Sequence, residues 1–179
     1  MSLAPESFTS TRLHMRRFVS EDAASVYRYA SDPEVTRLMD WETHIDISTS
    51  ENFIETAGTE WNLGSQHQWA ITRRDTEQLI GAVACGKISH RVSVGYVLAK
   101  SAWSMGFATE AAGTLIQQIE LMPVVARIWA TCDTENLASA KVLEKCGLNR
   151  EGILRNWSIR PNLQGAVRDS YVYAKTRSA

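Results

Sequence analysis

The sequence predicts a single mixed α/β domain spanning residues 1–179. Two observations point there. The elements run strand, helices, three strands, helix, strand, helix, two strands, with antiparallel strands first and a crossover strand after the central helix. The length of 179 residues fits one domain with a real hydrophobic core, with no repeat or linker to divide it.

Taken in order, Leu13, Met15 and Phe18 mark a first strand. Ser20-Glu21-Asp22 reads as a helix start, a hydroxyl cap followed by acids, and Ala23, Val26, Tyr27 and Ala30 continue it until Pro33. Thr36 to Ser50 has weak periodicity and reads as a short helix and loop; a further helix runs from Ser50 to Leu63 and ends at Gly64. Three strands follow, around Trp69 and Ile71, over Leu79 to Cys85, and over Val92 to Leu98. From Gly106, residues Ala108, Ala111, Leu115, Ile116 and Ile119 give a well-patterned helix. Val124 to Thr131 reads as a strand, Asn136 to Lys145 as a helix closed by Gly147, and Leu148–Trp157 and Ala166–Tyr173 as final strands around Pro161 and Gly165.

With 44% apolar and 22% charged residues, the chain has the mix of a globular protein rather than a disordered tail. A net charge of -1 gives no global basic field for nucleic acid or an acidic membrane, although a local basic patch stays open. Cys85, Cys132 and Cys146 form no C-x-x-C pair; Cys85 and Cys132 sit in strand-like runs and read as small hydrophobes. A disulfide framework is not expected, and a reducing cytoplasm fits. Met1 to Glu6 lacks the basic and apolar regions of a signal peptide, and no apolar run nears the roughly 18 residues of a membrane span. The expectation is a soluble, cytoplasmic protein. His14, His67 and His90 show no metal-ligand spacing, so no metal site is assigned.

Two segments carry the chemistry. Tyr96 to Ala111 takes a strand through a glycine turn into an amphipathic helix. Residues 104 to 109 would leave several N–H groups without intrahelical partners, and the helix dipole adds positive charge, which favours an anion such as a pyrophosphate. Gly106 lets that anion approach the backbone; a plain turn remains the other reading. There is no P-loop and no dinucleotide-binding fingerprint. In the second segment Asn136 reads as an N-cap or a ligand contact, and Ser139 lies on roughly the same helix face.

Gly106-Phe107-Ala108-Thr109-Glu110-Ala111 resembles motif A of the GNAT superfamily of N-acetyltransferases, and Asn136-x-x-Ser139-x-x-Val142-Leu143-Glu144-Lys145-x-Gly147 resembles its second cofactor segment. Thr11-Arg12-Leu13, Glu21-Asp22-Ala23, Gly95-Tyr96-Val97 and Arg168-Asp169-Ser170-Tyr171 are similar to the ribosomal-protein N-terminal acetyltransferase (RimJ/RimL-like) branch. The resemblance implies a seven-stranded mixed sheet flanked by helices, splayed near a bulge in the Val92–Ala99 strand, with cofactor motifs over 92–122 and 126–148. It implies acetyl-CoA as acetyl donor. Its pantetheine would meet backbone groups of Tyr96, Val97 and Leu98, and its pyrophosphate the amides of Ser104, Met105, Gly106, Phe107, Ala108 and Thr109. Asn136 would hold the pantetheine arm, with Ser139 near the thioester sulfur. Two departures stand out. Trp103 replaces the usual Gln or Arg, and Leu143 replaces a Tyr that many members use as general acid, which leaves Ser139 as the candidate donor.

Direct transfer to an amine needs a proton acceptor and an oxyanion donor. A main-chain N–H near Val97 or Leu98 is the expected oxyanion donor. Trp41, Glu42 and His44 lie in the loop expected to border the acceptor; Glu42 and His44 are both candidate bases, His44 reading otherwise as a surface histidine, and Trp41 reads as a pocket wall or as packing. The acceptor is expected to be a protein or peptide N-terminal amine. A small amine (amino acid, polyamine or drug) and a non-catalytic acyl-CoA-binding module are the alternatives. A monomer or homodimer is expected.

Overall fold

The structure is a computed structural model that describes residues 5–177. Met1–Ala4, within the segment read for a signal peptide, lie outside the described residues. The elements are β1 (Ser7–Thr9), β2 (Leu13–Arg17), α1 (Ala23–Ala30), α2 (Pro33–Thr36), α3 (Ile47–Leu63), β3 (Gln66–Arg73), β4 (Leu79–Ile88), β5 (Arg91–Leu98), α4 (Phe107–Glu120), β6 (Arg127–Asp133), α5 (Leu137–Lys145), β7 (Asn149–Arg160) and β8 (Ala166–Thr176). They form one mixed sheet in the order β1-β2-β3-β4-β5-β6-β8-β7. Among the described residues only β5 and β6 pair in parallel, joined through α4 as the crossover rule requires.

The sheet has eight strands, not seven. The extra strand, β1, has three residues and too short an alternation to register in the sequence; Phe8 fixes it by packing edge-on against Trp69 at 5.3 Å. Side-chain alternation then divides the core. Leu13, Met15, Trp69, Ile71, Val83 and Val92 pack with Phe107, Ala111, Leu115, Ile116 and Ile119 of α4 and with Leu143 of α5. Ala70 and Leu79 meet Val26, Tyr29 and Ala30 of α1, with Phe53 and Ile54 of α3 against them. Helices therefore cover both faces.

Several boundaries differ for local reasons. Ser20 does not cap a helix: its hydroxyl bonds Glu21, and Asp22 instead accepts from the Val19 N–H at 3.0 Å and pairs with Arg16. The helix of 47–63 starts earlier than expected because Asp46 accepts from the Thr49 N–H at 2.9 Å. β6 begins three residues late, since Val125 N–H to Met122 C=O closes a turn first. No bulge breaks the β4–β5 register; the irregularity lies one strand away, between Ile71 and Thr72 of β3. Gly81 is needed there, because a Cβ would lie 2.1 Å from the Val97 carbonyl oxygen. Among the described residues no helix is long and apolar enough to cross a membrane.

Candidate active site

β5 and β6 stay paired only over Arg91–Ser93 against Arg127–Trp129. Beyond that point β5 follows β4 while β6 follows β8 as far as Asp133. The wedge between them belongs to a cavity of about 480 Å³, lined by Tyr96 of β5, Cys132 of β6, Asn136, Ser139 and Leu143. The strands are splayed as the resemblance implied, by divergence rather than by a bulge.

The ladder decides which peptide groups face the wedge. The Ala99 N–H donates to the Ile80 carbonyl at 2.8 Å. In an antiparallel pair each residue turns both peptide groups to one side, so Val97 addresses Ala82 of β4 while Val94, Tyr96 and Leu98 address the wedge. Of the three backbone positions named from sequence, Val97 thus turns away. The Leu98 carbonyl is taken by the Trp103 indole N–H at 2.9 Å, which leaves the Leu98 N–H as the donor. Trp103, standing where a Gln or Arg was expected, thereby ties the following turn to the end of β5.

That turn opens α4. Gly106 is its N-cap, with φ of 81° in the left-handed region where glycine is favoured. The first intrahelical bond is Glu110 N–H to Gly106 C=O at 3.0 Å. The N–H groups of Ser104, Met105, Gly106, Phe107, Ala108 and Thr109 find no acceptor among the described residues. Among the described residues no carboxylate plugs this mouth, because Glu110 faces β2: it accepts from Ser10 Oγ, Arg12 N and Arg12 Nε, each at 2.7 Å. Burial pushes the Glu110 carboxyl up, but these hydrogen bonds outweigh it and hold the group below the usual range. Arg12 also donates to the Met105 carbonyl at 3.0 Å and lies over the Phe107 ring at 4.4 Å. A guanidinium cannot accept from the amides; it adds positive charge beside them. Unpaired amides and a guanidinium together give this mouth positive potential.

Asn136 caps α5, its Oδ1 accepting from the Ser139 N–H at 3.0 Å, while its Nδ2 has no partner among the described residues. Cap and ligand donor are therefore compatible roles for one side chain. Ser139 has a neighbour that the sequence reading missed. The Tyr96 hydroxyl lies 2.9 Å from Ser139 Oγ and donates to the Ser139 carbonyl at 3.1 Å. Alternation puts Tyr96 on the α5 face, so a phenol reaches this site from β5 although Leu143 holds the helix position. Burial raises the Tyr96 phenol well above its ordinary value, which keeps it protonated. Cys132 lines the same wall, its thiol pushed up to about 11 chiefly by burial.

Across the cavity stand Trp41 and His44. His44 is buried rather than a surface residue. Its Nδ1 meets Ser50 Oγ at 2.7 Å, and its Nε2 has no partner among the described residues. Burial lowers the His44 pKa, with Asp46 opposing. Glu42 is exposed and does not line the cavity. The loop bearing Trp41 is latched by Asn162 of the β7–β8 turn, whose Nδ2 donates to Thr36 and Trp41 carbonyls at 2.8 and 2.9 Å. Neither Ser50 nor Asn162 carries a sequence signal, since each works through a partner distant along the chain or across a turn. Among the described residues no cluster of three or more His, Cys, Asp or Glu is placed to hold a metal.

A strand-to-helix anion mouth opening beside a splayed parallel pair is accompanied by direct likeness. The acetyltransferase (GNAT) domain family matches residues 12–149. The chain belongs to the GNAT acetyltransferases. Uncharacterized N-acetyltransferase p20 of Bacillus licheniformis is 30% identical over 172 residues, covering 94% of this chain and 95% of that protein. The solved GNAT-family acetyltransferase from Bacillus anthracis superposes with a TM-score of 0.82 at 27% identity, over 95% of this chain and 98% of that one. Mycobacterium smegmatis RimJ, solved in complex with CoA-disulfide, gives a TM-score of 0.79 at 24% identity, over 92% and 81% of the two chains. This GNAT enzyme therefore shares its fold with these proteins and has the acetyltransferase character of its family.

Proposed function

We propose that this GNAT enzyme transfers an acetyl group from acetyl-CoA directly to a primary amine, foremost the N-terminal amine of a protein or peptide. One observation carries the donor half of this reading: six unpartnered amides, from Ser104 to Thr109, at the mouth of α4 beside the wedge. They fit the pyrophosphate, and the wedge-facing peptide groups of Tyr96, with Asn136 Nδ2, fit the amide-rich arm that follows it. The donor supplies a thioester, a carbonyl already activated toward an amine.

The chain's own groups do the rest. The Leu98 N–H faces the wedge, where negative charge develops on the transferred carbonyl. The Ser139 hydroxyl, with Tyr96 behind it, supplies a proton to the departing thiolate. His44, neutral near pH 7 by burial and with Nε2 open, accepts the proton of the attacking amine through the cavity. An α-amino group, with a pKa of about 8, loses its proton far more readily than a lysine at about 10.4, which favours an N-terminal acceptor. The likeness of Thr11-Arg12-Leu13 and Arg168-Asp169-Ser170-Tyr171 to the RimJ/RimL-like branch supports the same acceptor. A reducing cytoplasm suits three free thiols.

Incubation with acetyl-CoA and separate panels of peptides and small amines, followed by release of free thiol, tests the proposal. Turnover confined to peptides with free N-termini supports it, turnover confined to small amines moves the acceptor, and cofactor binding without any turnover overturns catalysis.

A further inference from the structure

Arg160 ends β7 on the cavity wall, two residues before the Asn162 latch of the loop bearing Trp41. Its side chain is only 6% exposed. Burying a guanidinium without acceptors is costly, and arginine stays charged in any protein environment. Yet Arg160 has little to satisfy it. Its Nε meets Asp133 Oδ2 at 3.4 Å, at the outer edge of a hydrogen bond. Asp133 is engaged more closely elsewhere, by Arg168 at 2.8 and 3.0 Å and by the Glu135 N–H at 2.9 Å. Arg168 is further matched by Glu135 at 2.8 Å, so Arg160 is the less neutralised of the two cations. The Nη1 and Nη2 groups of Arg160 have no acceptor among the described residues.

Two forked N–H pairs on a rigid plane suit a carboxylate, which accepts them bidentately. Arg160 lines the cavity together with Trp41 and His44, beside the turn that latches Trp41, and residues 104–109 of the α4 mouth are not part of that lining. Resting on the acetyltransferase reading above, we infer that Arg160 seats a carboxylate of the acceptor, so that the preferred substrate is an amine that also carries a carboxylate. That carboxylate belongs either to a free amino acid or to an acidic residue near a peptide N-terminus.

Matched pairs test this on the full chain saturated with CoA, by calorimetry, and with acetyl-CoA, by turnover. One arm sets phenylalanine and glutamate against their α-carboxamides; the other sets Ser-Glu-Ala against Ser-Gln-Ala, both with amidated C-termini. In at least one arm the carboxylate member is expected to bind and react about ten-fold better, the worth of a charge-assisted pair. In Arg160→Gln the preference collapses, in Arg160→Lys it is intermediate, and CoA affinity is unchanged in both. Equal handling of both members by the parent protein in both arms overturns the inference, whether or not a variant folds. So does a preference that survives in a folded Arg160→Gln. Carboxylates bound through Arg160 but never acetylated would leave the seat standing and remove the acetyl-transfer reading instead.

Discussion

Asn162 holds Thr43 by two bonds at once: its Oδ1 accepts both the Thr43 N–H and the Thr43 hydroxyl at 2.9 Å. With its two Nδ2 bonds to Thr36 and Trp41, one side chain fixes the loop bearing Trp41 to the β7–β8 turn. Asn162→Ala is expected to raise the acceptor KM about ten-fold and to destabilise the fold by about 1–3 kcal/mol, leaving acetyl-CoA affinity unchanged. Steady-state kinetics with urea titration would check it. An unchanged acceptor KM would mean that the loop holds itself.

Gly106→Glu should remove cofactor binding. The left-handed backbone costs any L side chain about 1–2 kcal/mol, and a carboxylate there would satisfy the free amides and Arg12 in place of the pyrophosphate. Gly106→Ala separates the two effects, since it carries the strain without the charge and should lose far less affinity. Calorimetry with CoA that finds parental affinity in a folded Gly106→Glu would place the pyrophosphate elsewhere.

Ser139→Ala is expected to lower kcat by about ten- to a hundred-fold with little change in the KM for acetyl-CoA. Tyr96→Phe should lower it too, because it removes the hydroxyl 2.9 Å from Ser139 Oγ. The comparison is kinetic. Parental turnover in both variants would make the pair a packing feature.

Acid should weaken the fold before the carboxylates titrate. His44 and His67 are both lowered from 6.5, chiefly by burial, with Arg17 adding to the effect at His67. Above 6.5 both are neutral in either state and stability is fully present. As pH falls through 6.5, the unfolded chain binds protons first and stability is lost down to the lower folded pKa values. Glu110 and Asp133, held below their ordinary values, add their own loss only at lower pH. Urea midpoints at pH 7.5 and 5.5 should therefore differ, and the difference should shrink in His67→Asn. A flat profile would mean that the buried imidazoles are already solvated.

The element order and the α4 mouth were readable because they rest on local rules: periodicity, a glycine before a helix, an unpaired first turn. What escaped is non-local. Arg160 meets Asp133 27 residues away, Asn162 meets Thr43 at 119, and Tyr96 meets Ser139 at 43. Strand parity also lies beyond sequence spacing. Whether Val97 or Leu98 turns its peptide groups into the wedge depends on the register with β4, set where Ala99 meets Ile80. The exposure of Glu42, off the cavity lining, was hidden for a related reason, because position within a loop does not tell which side chains turn inward.

The Trp103 indole bond to Leu98 joins the turn before α4 and the end of β5 into one piece of backbone. Such a piece works as a ruler. On the donor reading proposed above, with both ends of a thioester-bearing arm gauged against it, a donor of another length would present its carbonyl out of step with the Leu98 N–H, and the scaffold would favour a full-length pantetheine before any acceptor arrives.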